Sequence, residues 1–221
     1  MKTLIINYKS DTRAFDNGMR IAELCGRIPR DRVNIMLAPP ATMLRQVARV
    51  AKAVAQHTDS PATGGQTGKI TVEEVSMSGA SGSILNHSEN RMTLNGIAST
   101  VETLRKNGLI SIVCADNLVA AKQVGKRCMP DYMALEPSDL IGGSVSVSIA
   151  RRQEVREFVA IAREAGSVPL VGAGIRTEND VMRANELGAE GILVSSAVMH
   201  ADNFRAAITG LTKALVKKIA F

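Results

Sequence analysis

Short, β-branched apolar runs alternate with longer amphipathic stretches along the whole chain. The runs Leu4–Asn7, Asn34–Ala38, Ala53–Gln56, Ser83–Asn86, Ile110–Ala115, Tyr132–Glu136, Pro169–Gly172 and Gly191–Ser195 read as strands. Several are apolar at nearly every position, which predicts parallel strands buried on both faces. Between them, apolar residues recur at three- and four-residue steps: Phe15, Met19, Ala22 and Cys25; Ile97, Val101 and Leu104; Phe204, Ile208, Leu211, Leu215 and Ile219. That spacing lines one face of a helix. Gly26, Gly108, Gly166 and Gly188 fall where helices should stop, and Thr177 followed three residues on by Asp180 is a helix start.

Eight strand–helix units on one unbroken chain predict an α/β fold, an eight-stranded parallel (β/α)8 barrel in a single domain over residues 1–221. An open doubly wound sheet could use the same units. The chain is shorter than the roughly 250 residues usual for such a barrel, so trimmed outer helices are expected, especially at Leu118–Arg127. A thin outer layer exposes apolar surface, which predicts a homo-oligomer.

Composition changes this picture little. Hydrophobic residues make up 45% and charged residues 22%, with no tryptophan and only 3% aromatics, so aliphatic side chains must fill the core. No apolar run approaches the length of a membrane span. Met1–Asn7 turns polar too soon for a signal peptide, and Cys25, Cys114 and Cys128 are scattered; a cytoplasmic address is expected. The net charge of +6 is spread along the chain with no basic tract interleaved with aromatics. Nucleic-acid binding is therefore the weaker reading, and a mild positive field suits a small dianion.

Chemistry in a parallel barrel sits where strands end. The first strand ends in Asn7-Tyr8-Lys9, where a period of two puts Asn7 and Lys9 on one side. The fourth ends in Asn86-His87-Ser88-Glu89, the sixth in Glu136-Pro137, the seventh in Gly172-Ala173-Gly174 and the eighth in Ser195-Ser196. A cation, an imidazole, a carboxylate and two phosphate-sized turns thus converge on one rim. Taken singly, each has a plain structural reading: Lys9 a surface cation, Glu136 a solvated cap, Gly172–Gly174 a tight turn. Ser88-Glu89-Asn90 reads as a helix start that would keep His87 uncharged, with Asn86 and Ser88 as capping residues. His57 and His200 read as structural. No metal-ligand cluster and no G-x-G-x-x-G after the first strand are found, so neither a metal nor another cofactor is expected.

Asn7-Tyr8-Lys9, Leu85–Arg91 and Leu135-Glu136-Pro137 resemble, in order, the three catalytic segments of the triosephosphate isomerases. Asn86–Arg91, Ala55-Gln56-His57 and Gly172-Ala173-Gly174-Ile175 resemble the short archaeal-type branch in particular, and the likeness runs over essentially the whole chain. It implies a TIM barrel with shortened outer helices that interconverts dihydroxyacetone phosphate and glyceraldehyde 3-phosphate in glycolysis and gluconeogenesis. Glu136 would be the base, His87 a neutral electrophile, and Asn7 and Lys9 would hold substrate oxygens, with Glu89 orienting Lys9. Gly143, Gly172, Gly174, Ser195 and Ser196 would bind phosphate. Pro137–Val147 would be a lid, and Thr58–Thr71 a loop docking on a neighbouring subunit. The branch commonly forms tetramers, so a tetramer is favoured over a dimer.

The sequence departs from the family at the lid tip, Gly142-Gly143-Ser144, and at Ser195-Ser196. Two other readings remain: a different phosphate-binding barrel enzyme of biosynthesis, supported by Val168–Ala197, and a barrel that binds sugar phosphates without turnover.

Overall fold

The computed structural model describes residues 1–29, 31–59, 65–140 and 146–217. Its strands are β1 (Thr3–Asn7), β2 (Asn34–Ala38), β3 (Gly82–Leu85), β4 (Ile110–Ala115), β5 (Tyr132–Leu135), β6 (Val168–Val171) and β7 (Gly191–Val194). They form one parallel sheet in the order β2-β1-β7-β6-β5-β4-β3. Each strand–helix–strand step places its helices on the outside, as a parallel connection requires.

Among the described residues the sheet is barrel-like with seven strands, not the eight expected. The missing one is Ala53–Gln56, which contributes only isolated bridges, Leu37 to Ala53 and Ala55 to Ser83. Backbone hydrogen bonds still cross this gap on both sides, from Val54 N–H to Leu37 O at 2.8 Å and from Ala55 N–H to Gly82 O at 2.8 Å. Just beyond Ala55, Gln56 makes side-chain contacts to its neighbours. The Gln56 amide donates to both Ala38 O and Lys9 O at 2.9 Å, while Tyr8 N–H also takes Ala38 O.

Alternation along the strands separates two apolar layers. Ile5, Met36, Ile84, Ile112, Cys114, Ala134, Leu170 and Leu193 face inward, joined by Val54 from the interrupted segment. Their neighbours Leu4, Ile6, Leu37, Leu85, Val113, Leu135 and Val171 face the helices. Period two on a sheet covered on both sides explains the near-continuous apolar runs.

The helices are α1 (Thr12–Gly26), α2 (Leu44–Ala48), α3 (Val72–Met77), α4 (Leu94–Lys106), α5 (Leu118–Cys128), α6 (Val147–Ala150), α7 (Arg152–Glu164), α8 (Glu178–Glu186), α9 (Ser196–Met199) and α10 (Phe204–Val216). The brief helix expected over Leu118–Arg127 is α5, 11 residues long, and trimming goes further at α2 and α3, which flank the interrupted segment and have 5 and 6. Local chemistry sets the ends. Thr177 and Asp180 form a reciprocal capping box at α8, an arrangement that contributes about 1 kcal/mol. Gly108, Gly166 and Gly188 all have positive φ just past their helices. Gly26 acts differently: a Cβ there would lie 2.1 Å from Val50 O, so its role is close approach. The face of α1 is also rotated from expectation. Ala14, Gly18, Ile21, Ala22 and Cys25 are buried, while Phe15 is 62% exposed. Gly18 makes the difference, because it seats the Tyr8 ring, whose hydroxyl donates to Gly18 O at 3.0 Å. Ile219 lies outside the described residues. No helix among those described is long and apolar enough to cross a membrane.

Candidate active site

The strand ends converge as the pattern predicts. A cavity of about 250 Å³ is lined by Asn7, Lys9, His87, Glu136, Gly172, Gly174, Ser195 and Ser196, together with Asp11, Arg176 and His200. A larger groove of about 580 Å³ lies between α1 and the start of α10, but it contains neither an imidazole nor a buried carboxylate.

Lys9 follows β1 in the left-handed region, with φ 53°. Such a conformation needs local support in a residue with a Cβ. Asn7 supplies it by accepting the Lys9 N–H at 2.9 Å, and Gln56 grips the Lys9 carbonyl. The Lys9 ammonium then meets Glu89 at 2.5 Å. This is the pairing that the resemblance implied.

After β3 the chain turns through Asn86, also left-handed at φ 58°. The Asn86 side chain donates to Cys114 O at 2.9 Å and accepts Met92 N–H at 3.0 Å. These contacts pin both sides of the His87 turn, so Asn86 is a brace and not a helix cap. The expected helix start at Ser88 is absent: residues 88–90 form a turn, and α4 begins at Leu94 with Thr93 as its cap. The ring of His87 is oriented by a backbone contact instead. Its Nδ1 accepts the Glu89 backbone N–H at 3.2 Å, which leaves Nε2 to carry the ring proton.

Glu136 follows β5, its N–H bound to Ala115 O at 2.8 Å. The residue is 3% exposed and its Oε2 has no hydrogen-bond partner among the described residues. His87 Nε2 stands 3.6 Å from that oxygen. An imidazole N–H and an unsatisfied carboxylate therefore face one small space, and each lacks the partner that a third molecule could supply.

Gly172 makes room for this arrangement. A Cβ on it would fall 2.6 Å from Glu136 Cγ and Oε1. Its own N–H is spent on Leu135 O at 3.0 Å, so Gly172 offers the site space and not its amide. Gly174 has φ 69° and turns the chain away, while Val147 N–H, at the end of the expected lid, donates to Ala173 O at 3.1 Å. Gly143 and the lid tip lie outside the described residues. At the lid base, Asp139 pairs with Arg151 at 2.5 Å.

Beneath Glu136 lies Cys114, buried at 1% exposure. Burial pushes its thiol well above the usual range, and the Glu136 carboxylate adds to this by charge and by hydrogen bonding. Sequence reasoning missed Cys114, Gln56, Asp11, Arg176 and His200. His200, expected to be structural, meets Asp11 at 2.5 Å on the cavity rim. This hydrogen bond, followed by that from the Arg13 N–H, holds the Asp11 carboxyl below its ordinary value. Nothing in the local pattern pairs two residues 189 positions apart.

A parallel barrel-like α/β sheet with a buried carboxylate and an imidazole at the carboxyl ends of its strands defines a class of enzymes that move protons on small ligands. The triosephosphate isomerase family model matches residues 2–211. Curated relatives named triosephosphate isomerase include those of Methanopyrus kandleri (36% identical, covering 96% of this chain and 97% of the relative), Caldivirga maquilingensis (38%, 97% and 98%) and Cenarchaeum symbiosum (39%, 96% and 97%). The chain belongs to the triosephosphate isomerase family.

Proposed function

We propose that this protein interconverts dihydroxyacetone phosphate and D-glyceraldehyde 3-phosphate through an enediolate, as an aldose–ketose isomerase of glycolysis and gluconeogenesis. The observation that carries the reading is the facing pair Glu136 and His87, 3.6 Å apart across an otherwise unsatisfied space. Glu136 takes a proton from the carbon beside the carbonyl and returns it to the neighbouring carbon. Charge then builds on the carbonyl oxygen, where His87 Nε2–H and the Lys9 ammonium act as donors oriented before the reaction starts; His87 gives its proton to that oxygen and takes one from the neighbouring hydroxyl, so the second carbonyl forms as the first is lost. Asn7 fixes the Lys9 backbone, and Glu89 holds its ammonium. Phosphate lies toward Gly174, Ser195 and Ser196, which line the same cavity, with Gly143 contributing from the lid.

We further propose that residues 1–221 act as one barrel domain, with residues 53–55 taking the place of its eighth strand, in the cytoplasm and as a homo-oligomer, a tetramer in preference to a dimer. Support for assembly comes from exposed Phe15, Met77, Val119 and Met129, and from a second cavity of about 370 Å³ formed by Lys9, Gln56, His57, His87 and Glu89. Light scattering on the purified protein reads the subunit number.

A coupled assay with glyceraldehyde 3-phosphate tests the function. Turnover by the pure protein is expected. Tight binding without turnover would favour a non-catalytic sugar-phosphate barrel, and the absence of both would favour another barrel enzyme.

A further inference from the structure

A phosphorylated triose brings a dianion into a cavity that already contains carboxylates. The ionisable side chains lining it are Lys9, Asp11, His87, Glu136, Arg176 and His200. Most of them are engaged. Lys9 is paired with Glu89 at 2.5 Å, His200 with Asp11 at 2.5 Å, and His87 Nδ1 accepts the Glu89 N–H at 3.2 Å. Glu136 must be ionised to act as a base, and its charge repels a second anion nearby.

Among the cations Arg176 is the exception. It is exposed, and its guanidinium has no ion pair or hydrogen bond among the described residues. Its backbone, by contrast, is fixed. Asp180 Oδ2 accepts the Arg176 N–H at 3.0 Å, the Thr177 N–H at 2.8 Å and the Thr177 hydroxyl at 2.9 Å. Asp180 itself is 7% exposed and lies in the first turn of α8. The turn after Gly174 is therefore held rigid, while the cation it carries is left without a counter-charge on the cavity wall that also includes Gly174, Ser195 and Ser196. A planar guanidinium suits phosphoryl oxygens in geometry as well as charge.

We propose that Arg176 is a phosphate-binding residue of this site, supplying the charge-assisted contact that favours phosphorylated over unphosphorylated trioses. The inference rests on the isomerase reading for the identity of the substrate, though not for the binding of phosphate. Lys9 then serves the oxygens at the reacting end, and Arg176 serves the far end of the substrate.

The test compares wild type with Arg176→Ala, Arg176→Lys and, as a control for net charge, Arg156→Ala on the exposed face of α7. Two quantities are read: kcat and KM for glyceraldehyde 3-phosphate, and the affinity for inorganic phosphate by calorimetry. Arg176→Ala is expected to raise KM and weaken phosphate binding by about tenfold or more, as loss of a hydrogen bond to a charged group implies. Arg176→Lys should recover part of this, and Arg156→Ala should change neither. Normal turnover with unchanged KM and phosphate affinity in Arg176→Ala would overturn the proposal and leave the isomerase intact. If wild type does not turn over the triose, the isomerase reading fails and the phosphate titration alone decides. A tenfold loss in Arg176→Ala would then uphold the role of Arg176, while equal affinity, or no phosphate binding by wild type, would refute it.

Discussion

His87 Nε2 stands 3.6 Å from Glu136 Oε2, although 49 positions and two strands separate the residues (136 − 87 = 49). The gap is too long for a hydrogen bond. It leaves both groups free to engage a molecule between them, the imidazole by donating and the carboxylate by accepting.

Shortening the base tests this spacing. Glu136→Asp withdraws the carboxylate by one methylene, so kcat should fall by about 10²-fold or more, the scale of general-base catalysis. KM should change far less, because other groups hold the substrate. Steady-state kinetics measures both, and an unchanged kcat would remove Glu136 from the role of base.

The electrophile is tested by His87→Gln, which keeps an amide donor but loses the imidazole. A fall in kcat of about 10²-fold is expected, similar to the loss of one preorganised oxyanion donor. The ring state can be read separately. Nitrogen NMR should find Nε2 protonated and Nδ1 bare in the resting protein, because Nδ1 accepts the Glu89 N–H. A doubly protonated ring at neutral pH would contradict a neutral electrophile.

Gly172 has no side chain, yet the chemistry depends on it. Gly172→Ala drives a Cβ into Glu136 at 2.6 Å, and the carboxylate must move. We expect kcat to fall at least tenfold with little change in circular dichroism, since a displacement of about 1 Å at a reacting group can cost about 10²-fold. Wild-type kcat in this variant would show that Glu136 tolerates another position.

Alkaline stability follows from the α1 packing. Burial pushes the Cys25 thiol up to about 12 from its ordinary 9.0; burial also raises the Tyr8 hydroxyl, with the nearby Cys25 adding to the effect. The unfolded chain therefore releases these protons at lower pH than the folded chain does. Their contribution to stability is full below pH 9 and is lost as pH rises from 9 toward 12. Thermal melting should show Tm falling across that window, with a shallower fall in Cys25→Ser. Identical slopes for the two proteins would refute the linkage.

Much of this was legible in the chain because burial on both faces writes strands as apolar runs, and because parallel strands deliver their last residues to one rim. Asn7, His87 and Glu136 could be assembled from that rule together with the resemblance. The exceptions arise where side chains replace backbone. Gln56 contacts Ala38 O through its side chain where the Ala53–Gln56 pattern predicts a strand, and Asn86 braces a turn that its sequence presents as a cap. Phe15 matched the helical period, but the space beneath α1 belongs to Tyr8 and Gly18. The Asp11–His200 contact and the free Arg176 depend on loops meeting in space, which no periodicity encodes.

The central claim is that Glu136 carries a proton from one substrate carbon to the next, and proton NMR of glyceraldehyde 3-phosphate turnover in heavy water tests it most directly. Exchange of the abstracted proton with solvent while it resides on the carboxylate should leave carbon-bound deuterium in part of the dihydroxyacetone phosphate, and Glu136→Gln should abolish both conversion and labelling. No conversion by the wild type, or undiminished labelling by the variant, would contradict that claim.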